Sequence, residues 1–224
     1  MFKPHLNLLP EPQRLVWGDL DQVPSDFVLY GGTALALRLG HRISVDYDFF
    51  SNRDFLPQEI ESGLAFLAGA RRVQSRPNTL TLLVERGAPV RVSFFGGVRM
   101  RRVADPEKEE AGYVWVASLL DLAATKCKVV QDRAEAKDYR DIAVLIRSGI
   151  ELERSLAAAL AVYGPSFNPV LTLKALAFFG DGDLPSLEVD TRALLSGEVA
   201  KTSLDRIRPL PAIGVGISPE EERR

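Results

Sequence analysis

One short stretch, which begins at Gly31, constrains the fold of this chain more than any other part of the sequence. It opens with Gly31, Gly32 and Thr33, directly after the apolar run of residues 27–30, which predicts a buried strand followed by a turn. Residues 34–39 are rich in Ala and Leu and predict a short helix, for which Thr33 is a candidate N-cap. Backbone N–H groups at such a turn, ahead of a helix N-terminus, are suited to binding phosphate.

Residues 43–50 follow and predict a strand, because they are rich in β-branched and aromatic residues. Side chains two apart share one face of a strand, so Ser44, Asp46 and Asp48 are expected to point in the same direction. Two carboxylates on one face of a buried strand repel each other and lose hydration, and a divalent cation offsets both costs. Two solvated acids on a wet strand face are the alternative for these carboxylates taken alone. Their combination with the glycine turn favours a site for a metal ion and a triphosphate.

This combination resembles the nucleotidyltransferases of the AbiEii/AbiGii toxin family, which belong to the polymerase-β-like superfamily. The family pattern is Gly-Gly-(Thr/Ser), a short interval and then Asp-x-Asp-Phe, which this chain matches from Gly31 to Phe49. A lysine on a helix and an Arg-Asp-x-x-Asp-Leu-like helix come later in the family. The resemblance covers residues 27–146 and continues more weakly to residue 187.

The resemblance implies an α/β (α+β) fold, in which helices flank a small mixed β-sheet of nucleotidyltransferase type and a C-terminal helical region follows. Three further strands are predicted by their composition and by the turn before the last of them: residues 71–75, 79–85 and 90–95. We expect a nucleotidyltransferase core, a helical region and a flexible tail over residues 1–116, 117–207 and 208–224, respectively.

Residues 117–134 predict a helix whose buried stripe includes Leu122 and Cys127. Lys126 neighbours this stripe, so its ammonium group can reach inward while its stem stays packed. Lys128 points away from the stripe and is expected to face solvent. The family resemblance selects Lys126 as the lysine that balances the charge of the triphosphate and of the transition state. A place on the surface is the alternative for a helical lysine taken alone.

Asp138 and Asp141 lie on the next predicted helix, at a spacing that puts them on one face. They match the second signature of the family, with Lys137 in place of its Arg. One acid can take the proton from an attacking hydroxyl or orient Lys126, while the other pairs with Arg140 or Lys137. A salt-bridged helix surface is the alternative for the two acids.

A third acid usually lies on a later strand beside the Asp-x-Asp pair in this superfamily, but the corresponding position here holds Ser93. By strand alternation, Ser93 is expected to lie beside Asp46 and Asp48 without replacing a carboxylate. Because a neutral hydroxyl supplies no charge for a second metal ion, we expect one firmly held Mg²⁺. An enzyme disabled by the loss of this acid is the alternative.

Composition limits the other classes of protein that the chain can belong to. The formal net charge of −2 argues against nucleic-acid binding over the whole surface but allows local basic patches. A single cysteine excludes an internal disulfide and any cysteine-based metal or redox motif. Because the sequence has neither a long apolar run nor a signal-peptide pattern, we expect a cytoplasmic protein with no membrane partner.

The resemblance implies an enzyme that transfers a nucleoside monophosphate from an NTP to an acceptor. It also implies that this enzyme is the toxin of a bacterial type IV-like toxin–antitoxin system. The implied catalytic residues are Asp46, Asp48, Lys126, Asp138 and Asp141. The implied nucleotide-binding residues are Gly31, Gly32, Thr33, Ser44 and Lys126. Asp46 and Asp48 would hold Mg²⁺ or Mn²⁺. An RNA acceptor, the 3′ end of tRNA, and an antitoxin protein are the implied partners; a protein hydroxyl as acceptor and a binding module without catalysis are the alternatives.

Overall fold

The computed structural model describes residues 1–214 and 216–219. Its strands are β1 Val28–Tyr30, β2 Tyr47–Phe50, β3 Arg71–Arg76, β4 Thr79–Glu85, β5 Pro89–Phe95, β6 Glu107–Lys108 and β7 Trp115–Val116. They form one sheet in the order β3-β4-β5-β2-β1-β7-β6. The β2–β5 and β1–β7 pairs are parallel and the other neighbours are antiparallel, which confirms the expected mixed sheet.

The helices belong to two compact units of the chain. The first unit comprises residues 1–100, residues 105–118 and the described residues from Gly214 onward, and the second comprises residues 101–104 and 119–213. The helices of the first unit are α1 Glu11–Trp17, α2 Gly31–Leu39 and α3 Pro57–Gly63. Those of the second are α4 Leu119–Asp132, α5 Ala136–Arg147, α6 Leu152–Tyr163, α7 Pro169–Leu176 and α8 Val189–Lys201. The fold is therefore α/β, with a sheet in the first unit and a helical second unit.

One face of the sheet supplies the core of the first unit. The alternate residues Val90, Val92 and Phe94 of β5 are fully buried, and the same holds for Tyr47 and Phe49 of β2. Ring stacking between Phe49 and Phe94, at 5.4 Å between centroids, joins the two strands on this face. Because side chains alternate along a strand, the polar residues between these positions point to the opposite face.

Two local predictions around the glycine turn were wrong. Thr33 is not the N-cap, because α2 starts at Gly31 with Tyr30 as its N-cap residue. Gly31 adopts a φ of 78°, a left-handed value that glycine tolerates, so the chain enters the helix directly from β1. The strand predicted from residue 43 begins only at Tyr47, since the preceding residues are bound to the first turn of α2 instead of a neighbouring strand.

The second unit is built on α4, whose side chains include the predicted buried stripe. Leu122, Ala123, Cys127 and Val130 are all at most 4% exposed, which confirms the stripe at these four positions, while Leu119 at the start of the helix is only partly buried. Thr172 of α7 donates a hydrogen bond to the backbone carbonyl of Cys127 at 2.8 Å. No helix within the described residues has the length and apolar character that crossing a membrane requires.

The described residues of the expected tail, 208–224, form specific hydrogen bonds. In the second unit, Leu210 donates to the carbonyl of Ala157 at 3.2 Å. In the first unit, Ile217 is fully buried, and its backbone N–H donates to Asn52 Oδ1 at 2.7 Å. Val215 and residues 220–224 of the expected tail lie outside the described residues.

Candidate active site

The glycine turn at the start of α2 is closely covered by side chains of the segment that leads into β2. A Cβ atom on Gly31 would lie 3.1 Å from Asp48 Oδ2. A Cβ atom on Gly32 would lie 2.5 Å from Arg42 Nη2 and 2.9 Å from Ser44 Oγ. The positive φ of Gly31 favours glycine there, and a Cβ atom on Gly32 would displace the Arg42 guanidinium and crowd Ser44 Oγ.

Thr33 connects helix α2 to residues 44–48, the acidic segment that carries Asp46 and Asp48. Its hydroxyl donates a hydrogen bond of 2.5 Å to the backbone carbonyl of Asp46. Thr33 Oγ1 also lies 3.0 Å from Ser44 Oγ, and the Ser44 hydroxyl can donate to it because a hydroxyl both donates and accepts. Of the predicted nucleotide-binding residues, Gly31, Gly32, Thr33 and Ser44 thus lie beside Asp46 and Asp48 in the first unit, whereas Lys126 belongs to the second unit.

Tyr47 anchors the two carboxylates from the opposite face of β2. Its ring is fully buried, and its hydroxyl donates to the backbone carbonyl of Gln13 at 2.9 Å. Burial raises the pKa of the Tyr47 hydroxyl, so the residue acts as a neutral hydrogen-bond donor. With Tyr47 fixed in the core, Asp46 and Asp48 on either side of it are directed away from the core.

Asp46 and Asp48 have different surroundings. The side chain of Asp46 is 49% exposed and lies 3.8 Å from Nε of Arg91, a residue of β5. Asp48 is half-buried and is paired in register with Tyr30 of β1 and with Ser93 of β5. The expected position of Ser93 beside Asp48 is therefore confirmed.

No carboxylate replaces the third acid at the Ser93 position. Ser93 is 3% exposed, and its hydroxyl oxygen lies 3.4 Å from that of Thr81, which donates to it. Within the described residues, no group of three or more His, Cys, Asp or Glu side chains is arranged to hold a metal ion. Two carboxylates beside a turn of backbone N–H groups suit a Mg²⁺ ion whose other ligands are phosphate oxygens and water.

The second unit contains a buried ion-pair network around Lys126. Its Nζ lies 2.7 Å from Asp138 Oδ1 and 2.6 Å from Asp141 Oδ2. The Lys126 side chain is 6% exposed, and both carboxylates are completely buried. Lys126 is therefore not a surface lysine, and the two acids are not a solvated helix surface, so both alternatives left open by the sequence are excluded.

Arg133 is a fourth member of this network that the sequence patterns did not identify. Its Nε donates to Asp138 Oδ2 at 2.8 Å. Burial by itself would raise the pKa of Asp138, but the hydrogen bond from Arg133 and the charge and hydrogen bond of Lys126 together hold that pKa below its ordinary value. Arg133 lies in the loop after α4, and its spacing from Lys126 and Asp138 matches no motif that would have identified it from the sequence.

The other basic residues considered as partners of these acids bind elsewhere. Arg140 pairs with Glu188 at 3.1 Å, and Lys137 pairs with Glu135 at 2.6 Å. Lys128 pairs with Asp132, one helical turn away, at 3.1 Å. These three contacts lie nearer to the surface, so Lys126 is the lysine of this helix that both buried acids bind.

Comparison with known proteins identifies the family. A model described as the nucleotidyl transferase AbiEii toxin of a type IV toxin–antitoxin system matches residues 16–206. An uncharacterized protein of Aquifex aeolicus is 33% identical over 125 residues, which are 55% of this chain and 59% of that protein. The chain thus spans less than two thirds of the length of this curated relative.

Two solved structures have a similar fold. A putative nucleotidyltransferase from H. pylori is 16% identical with a TM-score of 0.57, over 85% of this chain and 92% of its own. The nucleotidyltransferase toxin MenT4 from Mycobacterium tuberculosis is 16% identical with a TM-score of 0.59, over 85% of this chain and 84% of its own. At this identity the structures show a shared fold, while the family match extends over most of the sequence. The chain therefore belongs to the AbiEii family of nucleotidyl transferase toxins.

Proposed function

We propose that this protein transfers a nucleoside monophosphate from an NTP to an acceptor, with release of pyrophosphate. The observation that supports this most is the attachment of the acidic segment to the glycine turn through Thr33, Ser44 and the close contact of Asp48 with Gly31. The N-terminus of α2 offers backbone N–H groups to the phosphates. Arg42, whose guanidinium packs on Gly32, adds a positive charge at the same turn.

In this proposal Asp46 and Asp48 would hold Mg²⁺ or Mn²⁺, which when bound supplies positive charge that neutralises the phosphates. Asp48, packed over Gly31, would place that charge beside the glycine turn. Arg91 keeps a cation 3.8 Å from Asp46 and thereby reduces the repulsion between the two carboxylates. The neutral Ser93 supports a site for one firmly held ion.

For the second unit we propose that Lys126 stabilises the negative charge of the reacting phosphates. Asp138 and Asp141 would act as positioning residues, because each uses a carboxylate oxygen to bind the Lys126 ammonium group. Asp138 is poorly suited to be a general base, since both of its oxygens accept charged hydrogen bonds and its pKa is lowered.

We further propose that the acceptor is an RNA, with the 3′ end of tRNA as the first candidate, and that an antitoxin protein of a type IV system controls the activity. Membership of the AbiEii toxin family supports both parts. Transfer to an RNA end needs only local basic contacts, which a chain of net charge −2 can provide.

Incubating the purified protein separately with each of the four labelled NTPs, Mg²⁺ or Mn²⁺, and either tRNA or cell lysate tests this proposal. We expect label in an RNA band that RNase removes. Label that protease removes instead would replace RNA by a protein hydroxyl as the acceptor. If neither RNA nor protein is labelled, a titration of the protein with NTP and Mg²⁺ follows. Absence of Mg²⁺-dependent NTP binding would favour the alternative of an enzyme disabled by the loss of the third acid at Ser93.

A further inference from the structure

The strand register continues the face that carries Asp46 and Asp48 across β5 and β4 to the edge strand β3. Residues paired side by side in neighbouring strands direct their side chains to the same face of a sheet. Three rows of side chains result, each starting at β3. The first row is Arg71, Leu83 and Arg91. The second is Gln74, Thr81, Ser93 and Asp48, and the third is Arg76, Thr79, Phe95 and Phe50. The first row reaches Asp46 through the 3.8 Å contact with Arg91.

The outer part of this face is exposed and basic. All six residues of the edge strand β3 are exposed. No carboxylate within residues 1–214 and 216–219 forms an ion pair with Arg71 or Arg76. Arg91, whose side chain is 50% exposed, lies between these two arginines and the acidic pair. On this face β3 and β5 thus contribute three arginines, whereas β4 contributes one exposed carboxylate, that of Glu85.

An aromatic pair on the same face lies next to the acidic pair. Phe50 and Phe95 stack with their ring centroids 4.8 Å apart, and both are half-buried. Tyr30 contacts Phe50 edge-on at 5.6 Å. Aromatic rings of this kind are platforms on which unpaired bases stack, whereas arginines bind the phosphates between bases.

We propose that this face, defined by Arg71, Arg76, Arg91, Phe50 and Phe95, binds the acceptor as a single-stranded nucleic acid that ends at Asp46 and Asp48. Three strand spacings separate β3 from β2, a distance of about 14 Å that a few nucleotides can span. An acidic protein would explain the arginines but not the half-buried ring pair beside the acids. This inference rests on the proposed nucleotidyl transfer, because it names the surface that brings the acceptor to that site.

The chain offers a matched control on the same strand. Arg72 is paired with Leu82, whose side chain is in the core, so Arg72 lies on the opposite face from Arg71. Its guanidinium makes two hydrogen bonds to Glu61, of 2.5 and 2.7 Å. Replacing Arg72 removes the same charge from the protein as replacing Arg71, but from the wrong side of the sheet.

The test compares the double variant Arg71→Gln/Arg76→Gln with Arg72→Gln and with the unaltered protein. Binding of a fluorescent single-stranded RNA of mixed sequence is measured over a series of salt concentrations. We expect the double variant to bind about 10-fold more weakly at low salt and to lose about 1.4 from the slope of log K against log salt, which corresponds to two phosphate contacts. Arg72→Gln should match the unaltered protein, and all three proteins should have the same thermal unfolding midpoint.

An equal loss in Arg72→Gln, or unchanged binding in the double variant, would overturn the proposal. Its failure is distinguishable from that of the proposed function. If the double variant transfers nucleotide to RNA with an unchanged KM for RNA, the surface is wrong and the function stands. If RNA binding depends on Arg71 and Arg76 but no transfer occurs, the surface stands and the function is wrong.

Discussion

At the scale of single residues, the site depends on how closely polar side chains approach a glycine. Arg42 occupies the space where any residue other than glycine at position 32 would place its Cβ atom. The glycine pair therefore does more than form a turn, since Gly32 allows a guanidinium to pack against the start of α2. Arg42 lies inside the motif, but the sequence alone gave no reason to expect this contact.

Gly32→Ala should displace the Arg42 guanidinium and weaken binding of a non-hydrolysable NTP by about 10-fold or more, the equivalent of losing one charge-assisted hydrogen bond of about 1.5 kcal/mol. The mutation should cost less affinity in an Arg42→Ala background, because the added methyl group then crowds only Ser44 Oγ. Calorimetric titration of the two single variants and the double variant measures this coupling. Strictly additive losses would show that the contact between Arg42 and Gly32 is not used in binding.

At the scale of secondary-structure elements, α4 and α5 are joined by the buried network of Lys126, Asp138, Asp141 and Arg133. Removing Lys126 alone cannot separate the function of the network from its contribution to stability, because two buried carboxylates would lose the ammonium group that both of them bind. Any activity measurement on such a variant therefore needs a folded-state control.

Lys126→Met should lower the free energy of unfolding by about 3–5 kcal/mol, the usual cost of breaking a buried ion pair. Lys128→Met is the matched control, because Lys128 pairs with Asp132 near the surface and should contribute less than about 1 kcal/mol. Urea unfolding followed by circular dichroism measures both values. Similar midpoints for the two variants would contradict a stabilising role for the Lys126 network.

Asp138 should make stability depend on pH in the acid range. Its pKa is lowered in the folded protein, so its charged form contributes stability above the ordinary carboxyl pKa of about 3.9, and this contribution is lost as pH falls below that value toward the folded-state pKa. Asp138→Asn should therefore be less stable than the unaltered protein at neutral pH, with a difference that narrows below about pH 4. A difference that stays constant between pH 7 and pH 3 would contradict this assignment.

At the scale of the whole molecule, local motifs were predictable and contacts that depend on register were not. The turn, α2 and the acids are close in sequence, so composition and spacing were sufficient to place Gly31, Thr33, Asp46 and Asp48 together. Ser93 could be assigned because strand alternation is a simple rule.

The remaining features depend on distant parts of the chain. The basic face needs the pairing of β3, β4 and β5, including the irregularity between Arg72 and Gln74, and no pattern in the sequence gives that register. The burial of Asp138 and Asp141 follows from how α5 packs on α4, which helical spacing alone does not determine. Hydrogen bonds of the described residues in the segment expected to be a tail, such as that from Ile217 to Asn52, likewise connect residues far apart in sequence.

The position of the label in the NTP tests nucleotidyl transfer most directly. The protein is incubated with Mg²⁺, the RNA acceptor and the same NTP labelled at either the α- or the γ-phosphate. We expect the α-label to enter RNA and the γ-label to leave as pyrophosphate, and Asp46→Asn, still folded, to reduce the α-label rate by about 100-fold or more. Transfer of the γ-label, or an undiminished rate in Asp46→Asn, would contradict nucleotidyl transfer at this site.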